Sequence, residues 1–198
     1  MDKINIGISA RHVHLSKEHL EILFGKGYEL TVFKPLSQPG QYASNEKVKI
    51  VTLGGKEVEA RILGPVRKES QVEVSKGDVI SYKFETPEVS VPVRSSGDVK
   101  GSGKCKLVGP KGEVFLEEGV IIADRHIHMS LEDAAHFGVK DKDIVSIKVL
   151  GNKPAILGKV LVRVNASFAL DCHLDTDDGN ACNIKTGDTC QIIKEISF

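Results

Sequence analysis

A short pattern occurs twice in this chain. Ile8-Ser9-Ala10-Arg11-His12-Val13-His14-Leu15-Ser16 returns as Ile122-Ala123-Asp124-Arg125-His126-Ile127-His128-Met129-Ser130. Each copy runs on into a helix-compatible stretch that ends in Phe-Gly: Lys17 to Phe24 before Gly25, and Leu131 to Phe137 before Gly138. Ser16 and Ser130 suit the N-cap, where a side-chain oxygen accepts from an orphan backbone N–H. Asp133, three residues past Ser130, resembles the return half of a capping box. Glycine suits the C-terminal stop because it adopts positive φ at no steric cost. A strand, a histidine pair, a cap and a short helix, made twice, predict two related lobes with a boundary near Asp124.

The remainder reads as β structure. Val48 to Leu53 and Glu57 to Leu63 flank Gly54-Gly55-Lys56, a hairpin signal. Lys106 to Gly109 and Glu113 to Leu116 flank Pro110-Lys111-Gly112, and Ile144 to Leu150 and Ala155 to Val164 flank Gly151-Asn152-Lys153-Pro154. Gln191 to Ile196 reads as a final strand, and Thr86 to Lys104, rich in Pro, Ser and Gly, as a loop or mobile flap. Short strands, frequent turns and only two obvious helices place the chain among mainly β folds of the compact barrel or sandwich type.

Composition excludes several classes of function. Lys+Arg and Asp+Glu both number 27, so no polyanion footprint exists, and the lack of Trp removes a common base-stacking platform. No apolar run approaches the roughly 20 residues that span a bilayer, and the first residues do not form a secretory signal. Neither nucleic acid nor membrane is an expected partner. Cys105, Cys172, Cys182 and Cys190 form no Cys-x-x-Cys pair, which suits reduced thiols in a cytoplasm-like compartment.

The chemistry lies in the histidines. Residues two apart on a strand face the same side, so His12 with His14, and His126 with His128, can each aim two imidazoles at one point. Two converging imidazoles are half a tetrahedral zinc shell. His173, in Leu170-Asp171-Cys172-His173-Leu174-Asp175, could complete a set of three; a lone loop histidine is the plain alternative, and Cys172 a rival ligand on the opposite face. His19 and His136 fall on the helices and read as solvated. In the segment Leu63-Gly64-Pro65-Val66-Arg67-Lys68-Glu69-Ser70-Gln71-Val72-Glu73-Val74, Gln71 and Glu73 share a strand face, which by itself also fits an ordinary half-exposed strand.

Three motifs together resemble a known family. The paired Arg-His-x-His-[Leu/Met]-Ser segments, the segment from Gly64-Pro65 through Arg67 to Gln71-Val72-Glu73, and His173-Leu174-Asp175-Thr176-Asp177-Asp178-Gly179-Asn180-Ala181 are similar to those of the PduL-type phosphate propanoyltransferases, from about Ile6 to about Ile193. The resemblance implies two closely packed antiparallel β-barrels with short capping helices and a two-zinc site at their junction. The barrels would span 10–124 and 125–198, with the N-terminal strand 1–9 completing the second. It further implies that His12, His14 and Glu73 hold one Zn²⁺, and His126, His128 and His173 the other. Arg67 would bind phosphate as the catalytic arginine, and Ile8, Ser9, Ala10, Lys34, Arg61, Leu63 and Asn180 would line the coenzyme A site. The chain departs from the family between Ser75 and Pro92 and at Lys104-Cys105. Only seven residues precede Ile8, where microcompartment members carry an extension that directs encapsulation, so the expectation is a free cytoplasmic enzyme. A homodimer is the default assembly.

Three protein ligands per metal would leave each zinc an open position, the mark of a catalytic site. A free thiol has a pKa of about 8.5 and leaves poorly, whereas a zinc-bound thiol is deprotonated. The expected reaction is therefore direct transfer of a short acyl group between coenzyme A and phosphate, with sulfur at the first zinc and phosphate or the carbonyl at the second. Two other classes remain open. A metal-dependent hydrolase of small esters or thioesters also uses His-x-His, although amidohydrolase barrels need about 250 residues. A non-catalytic metal- or coenzyme A-binding module is the other.

Overall fold

The computed structural model describes residues 2–193. The elements of the first part are β1 (Ile4–Ser9), β2 (His12–His14), α1 (Lys17–Phe24), β3 (Val32–Pro35), β4 (Tyr42–Val51), β5 (Glu57–Gly64), β6 (Gln71–Glu73), α2 (Lys76–Tyr82), β7 (Val93–Arg94), β8 (Gly103–Val108) and β9 (Glu113–Ala123). There follow β10 (His126–Met129), α3 (Leu131–Phe137), β11 (Ile144–Val149), β12 (Ala155–Val164), β13 (Asp171–Asp175), α4 (Thr176–Cys182) and β14 (Thr189–Ile193). Of the strand expected from Gln191 to Ile196, the part beyond Ile193 lies outside the described residues.

The chain divides into two compact units. The first barrel comprises Ala10–Leu36 and Gly40–Ala123; the second takes the residues through Ser9, Ser37–Pro39 and those from Asp124 onward. In the second barrel the strand order β1-β13-β10-β12-β11-β14 closes on itself. In the first, β4-β5-β2-β6-β9 closes because β8 pairs with both β9 and β4, while β3 and β7 extend the sheet. The two rings share one pairing scheme, mainly antiparallel with two parallel pairs each. β2 runs parallel to β5 and antiparallel to β6, which is parallel to β9. Likewise β10 runs parallel to β12 and antiparallel to β13, which is parallel to β1.

That correspondence exposes an exchange that the repeat alone did not reveal. In sequence, β1–β2 matches β9–β10, yet β1 belongs to the second barrel and β9 to the first. Each barrel therefore contains the strand that precedes the other's histidine pair, and the chain changes unit at Ser9/Ala10 and again at Ala123/Asp124.

Strand alternation builds the two cores. Val13 lies between the histidines of β2 and is fully buried with Leu15, Leu23, Ile50, Ile62, Val72, Leu107 and Val120. Ile127 and Met129 of β10 join Ile4, Ile6, Ile147, Val162 and Leu174 in the second core. Each such side chain contributes on the order of 1.5–3 kcal/mol by leaving water. Packing on one face of β2 and β10 leaves the histidines fixed on the other.

The expected helices form as the caps dictate. The Ser16 side chain accepts from the His19 N–H, and Ser130 and Asp133 complete a capping box. Two further helices were not apparent in the sequence. α2 (KGDVISY) and α4 (TDDGNAC) contain poor helix formers, Gly, β-branched residues, Asp and Asn. They start because Ser75 and Asp178's partner Asp175 cap them, with Asp78 returning the bond to the Ser75 N–H. No helix among the described residues is long and apolar enough to cross a membrane.

Candidate metal centres and anion-binding residues

Two three-donor clusters form among the described residues: His12, His14 and Glu73, and His126, His128 and His173. Within each, the donor atoms lie within 4.8 Å of one another. Register explains both. β2 sets His12 opposite Glu73, and β10 sets His126 opposite His173. The third donor thus comes from the same position of the corresponding strand in each barrel.

In the first cluster, His12 Nδ1–H donates to the Ala10 carbonyl at 2.9 Å and His14 Nδ1–H to the Leu63 carbonyl at 3.2 Å. Both Nε2 lone pairs are left for the cluster's centre. His12 Nε2 stands 3.5 Å from one Glu73 oxygen and His14 Nε2 3.9 Å from the other. Donors around one tetrahedral zinc are about 3.4 Å apart, so this spacing fits a cation. Burial opposes charge on His12, yet the Glu73 carboxylate outweighs it and raises its pKa. Burial, then the neighbouring His12 and Arg67, pull His14 down to about 3. For Glu73, burial works to raise the pKa, but His12 leads the groups that hold it well below the usual carboxylate range. The cluster therefore sets an ionised carboxylate beside one imidazole held neutral, His14.

The second cluster is wholly imidazole. Its ring centroids form a near-equilateral triangle of 4.8–5.0 Å. His126 Nδ1–H donates to the Asp124 carbonyl at 2.8 Å, repeating the His12 arrangement. His128 Nδ1 is buried with no hydrogen-bond partner, and burial with the adjacent His126 lowers this group to about 2. Three converging imidazoles, two of them buried, with an unpaired nitrogen on His128, suit a divalent metal.

Arg67 follows β5 through Gly64, where the Tyr42 ring occupies the space a Cβ would need. Its backbone N–H donates to Leu15 O at 2.8 Å, and its guanidinium to Ser96 Oγ at 3.2 Å. Ser96 in turn donates to Glu73 Oε1 at 2.7 Å. Gln71 joins this network, donating to Ser96 Oγ at 3.0 Å and accepting the Gly97 N–H at 2.7 Å. Ser96 and Gly97 lie in the stretch read from sequence as a loop or flap. Val93–Arg94 instead pair with β9, and Ser96 connects the arginine to the Glu73 carboxylate. A serine in a Pro/Ser/Gly-rich loop carries no sequence signal for such a role.

The family model for phosphate propanoyltransferase matches residues 5–185. A phosphate propanoyltransferase of Lachnoclostridium phytofermentans is 51% identical over 96% of this chain and 87% of its own length. One from Thermotoga maritima is also 51% identical, over 96% and 89%. One from Priestia megaterium is 50% identical over 94% and 83%. The chain belongs to the phosphate propanoyltransferase family. It is accordingly an acyltransferase, and no residue of the two clusters lies outside the stretch that the family model covers.

The residues that resemblance to this family assigns to coenzyme A divide between the units. In the first barrel, Lys34 pairs with Ala43, which pairs with Leu63, so all three lie on one cross-strand line. Arg61 donates to the Ser44 carbonyl and stacks over Phe33 at 4.5 Å, while Ala10 O accepts the hydrogen bond of His12 Nδ1–H. In the second barrel, Ile8 and Ser9 pair with Leu174 and Asp175 immediately before α4, which exposes Asn180. The Ile8 N–H donates to Thr186 Oγ1. His136 is exposed as expected and meets Asp2, but His19 Nδ1 is held by Ser70 Oγ at 2.8 Å rather than solvated.

Each cluster is also braced. Arg11 Nε and Nη2 donate to Asp78 Oδ1 at 3.0 and 2.5 Å, and Arg125 grips both oxygens of Asp178 at 2.8 and 2.7 Å. These arginines immediately precede the histidine pairs, and each aspartate sits in the first turn of the helix that follows the third donor. The brace ties together the two strands that supply one cluster.

Proposed function

We propose that this acyltransferase interconverts a short-chain acyl-CoA plus phosphate with an acyl phosphate plus coenzyme A, by direct transfer. His12, His14 and Glu73 would hold one Zn²⁺, and His126, His128 and His173 a second. Supporting this reading above all is the placement of two largely buried three-donor sets, with Arg67 joined through Ser96 to the first. The printed names of the relatives point the same way.

Zinc, once bound, supplies Lewis acidity and a low thiol pKa. The chain's residues do the rest. The planar guanidinium of Arg67 clamps phosphate through two parallel hydrogen bonds and sets its approach to the acyl carbon. Ser96 fixes Arg67 and Glu73 relative to each other. Ile8, Ser9, Ala10, Lys34, Arg61, Leu63 and Asn180 hold coenzyme A, with Lys34 and Arg61 offering cations to its phosphates. Direct transfer requires no protein nucleophile, so the reaction runs through a ternary complex rather than an acyl-enzyme. A reducing, cytoplasm-like compartment belongs to the same reading, supported by four cysteines that are all free and buried.

The test combines metal analysis with release of thiol from propanoyl- and acetyl-CoA, with and without phosphate. The expected content is about two metals per chain. Arg67→Ala should retain its metals and lose phosphate-dependent turnover by roughly 10²–10³-fold. Phosphate-independent thiol release would instead identify a hydrolase, and an acyl-enzyme trapped by rapid quench would refute direct transfer.

A further inference from the structure

His173 differs from the other cluster histidines in what engages its ring. His12, His14 and His126 each give Nδ1–H to a backbone carbonyl. In His173 the engaged atom is Nε2, 2.9 Å from Asp171 Oδ2, with Ser37 Oγ at 3.4 Å. A carboxylate can only accept, so Nε2 carries the proton and the Nδ1 lone pair is the one left for a ligand role. Asp171 lies two residues before His173 on β13, on the same face, and only 5% of it is exposed.

The neighbouring strand makes room for this pair. Gly7 of β1 stands opposite His173. A Cβ there would lie 3.2 Å from Asp171 Oδ2, 3.4 Å from His173 Cδ2 and 3.6 Å from His173 Nε2. Gly7 is not among the positive-φ residues, so what its glycine provides is space rather than backbone freedom.

The first barrel has a counterpart at the same register. Gln71 lies opposite His14 as Asp171 lies opposite His128, and Gln71 Nε2 donates to Glu73 Oε1 at 2.5 Å. One set thus has a carboxylate donor steadied by a neutral amide. The other has an imidazole steadied by a carboxylate. Each contains a single carboxylate, in exchanged places.

We propose that Asp171 is the positioning residue of the second metal set, holding His173 so that Nδ1 is its ligand atom, and that Gly7 is glycine to admit this contact. The inference rests on the reading that His126, His128 and His173 hold a metal. A carboxylate behind a ligating imidazole fixes its tautomer and strengthens it as a donor, and loss of such a partner typically costs about 10–100-fold in metal affinity.

The full chain, stripped with a chelator, is titrated with Zn²⁺ in competition with a chromophoric chelator, and with Co²⁺ read by its visible absorption. Wild type, Asp171→Ala, Asp171→Asn and Gly7→Ala are compared, with circular dichroism confirming the fold. Asp171→Ala should weaken one of the two metals by about 10–100-fold and leave the other unchanged. Asp171→Asn, which keeps an acceptor oxygen, should fall between it and wild type. Gly7→Ala alters no polar atom, yet should weaken the same metal. The Co²⁺ absorption of that site should keep the intensity of a four-coordinate ion in every variant. Affinities within about twofold of wild type would overturn the proposal. So would a change in cobalt coordination number on removing the carboxylate, because Asp171 would then be a ligand itself. A wild-type chain that binds no metal through His126, His128 and His173 would defeat the underlying reading as well, and the wild-type titration alone distinguishes that case.

Discussion

In the first barrel the strand opposite the histidine pair brings a carboxylate, Glu73; in the second it brings an imidazole, His173. The framework around these two residues corresponds. The donor pairs lie on equivalent strands, the preceding arginines grip equivalent aspartates, and the helices begin two positions later with a side-chain cap. The fold has therefore duplicated a position, and the residue type at that position is free to differ. The difference is electrostatic. The first cluster has a fixed negative charge among its donors, whereas the second has none and keeps its carboxylate, Asp171, one bond further out.

The largest effect should come from removing the charged donor. Glu73→Gln is expected to deplete the first metal and lower turnover by about three orders of magnitude, since Lewis-acid stabilisation is worth several kcal/mol; metal content and rate check both. The comparison can then be broken deliberately. Glu73→His alone transplants the second set's donor without its carboxylate partner, and Glu73→His with Gln71→Asp transplants both. The double variant should bind the first metal about 10–100-fold more tightly than the single one. Equal affinities would mean that the two positions are not interchangeable.

Acid sharpens the contrast in the chelated protein. His14 and His128 titrate at about 3 and about 2 in the fold, both lowered first by burial, against about 6.5 unfolded. Each lends stability that is complete above pH about 6.5 and drains as the pH falls toward the folded value, because only the unfolded chain takes up the proton. His12 has the opposite sign: its pKa is raised, so its contribution is present below pH about 6.5 and lost as pH climbs through the folded value. Denaturation followed by circular dichroism should show falling stability below pH about 6.5, and His128→Asn should lessen that slope by up to about one proton.

Smaller effects should follow from the braces. Arg125 holds both oxygens of Asp178, whereas Arg11 holds one oxygen of Asp78. Both arginines are about one-third exposed, which limits the cost of orphaning them. Asp178→Ala should destabilise the apoprotein by about 2 kcal/mol and Asp78→Ala by about 1, measured by urea denaturation.

How much of this could be read beforehand follows from the range of the interactions. The duplicated caps, the glycine stops and the hairpin turns are local, and α1, α3 and the paired strands formed where they were expected. The histidine alternation is local too, so the direction of each pair was legible. Helices α2 and α4 were not, because their sequences favour other conformations and tertiary contacts to Asp78 and Asp178 override them. The short capping motif at Ser75 and Asp78 was the available signal. Ser96 and Gly7 meet neighbours brought near only by the finished sheets, and a serine and a glycine announce nothing by themselves; Asp171 shares a strand face with His173 two residues on, and that alternation was the available signal.

The strand exchange has a consequence for how the molecule is made. Ile6 leaves the ribosome long before its partner Cys172. The opening stave of the second barrel must wait for β13 to be made before it finds that neighbour, whereas the first ring can close once Ala123 has emerged. Severing the gene at the repeat boundary would give one product with a surplus ribbon and another with a gap in its wall.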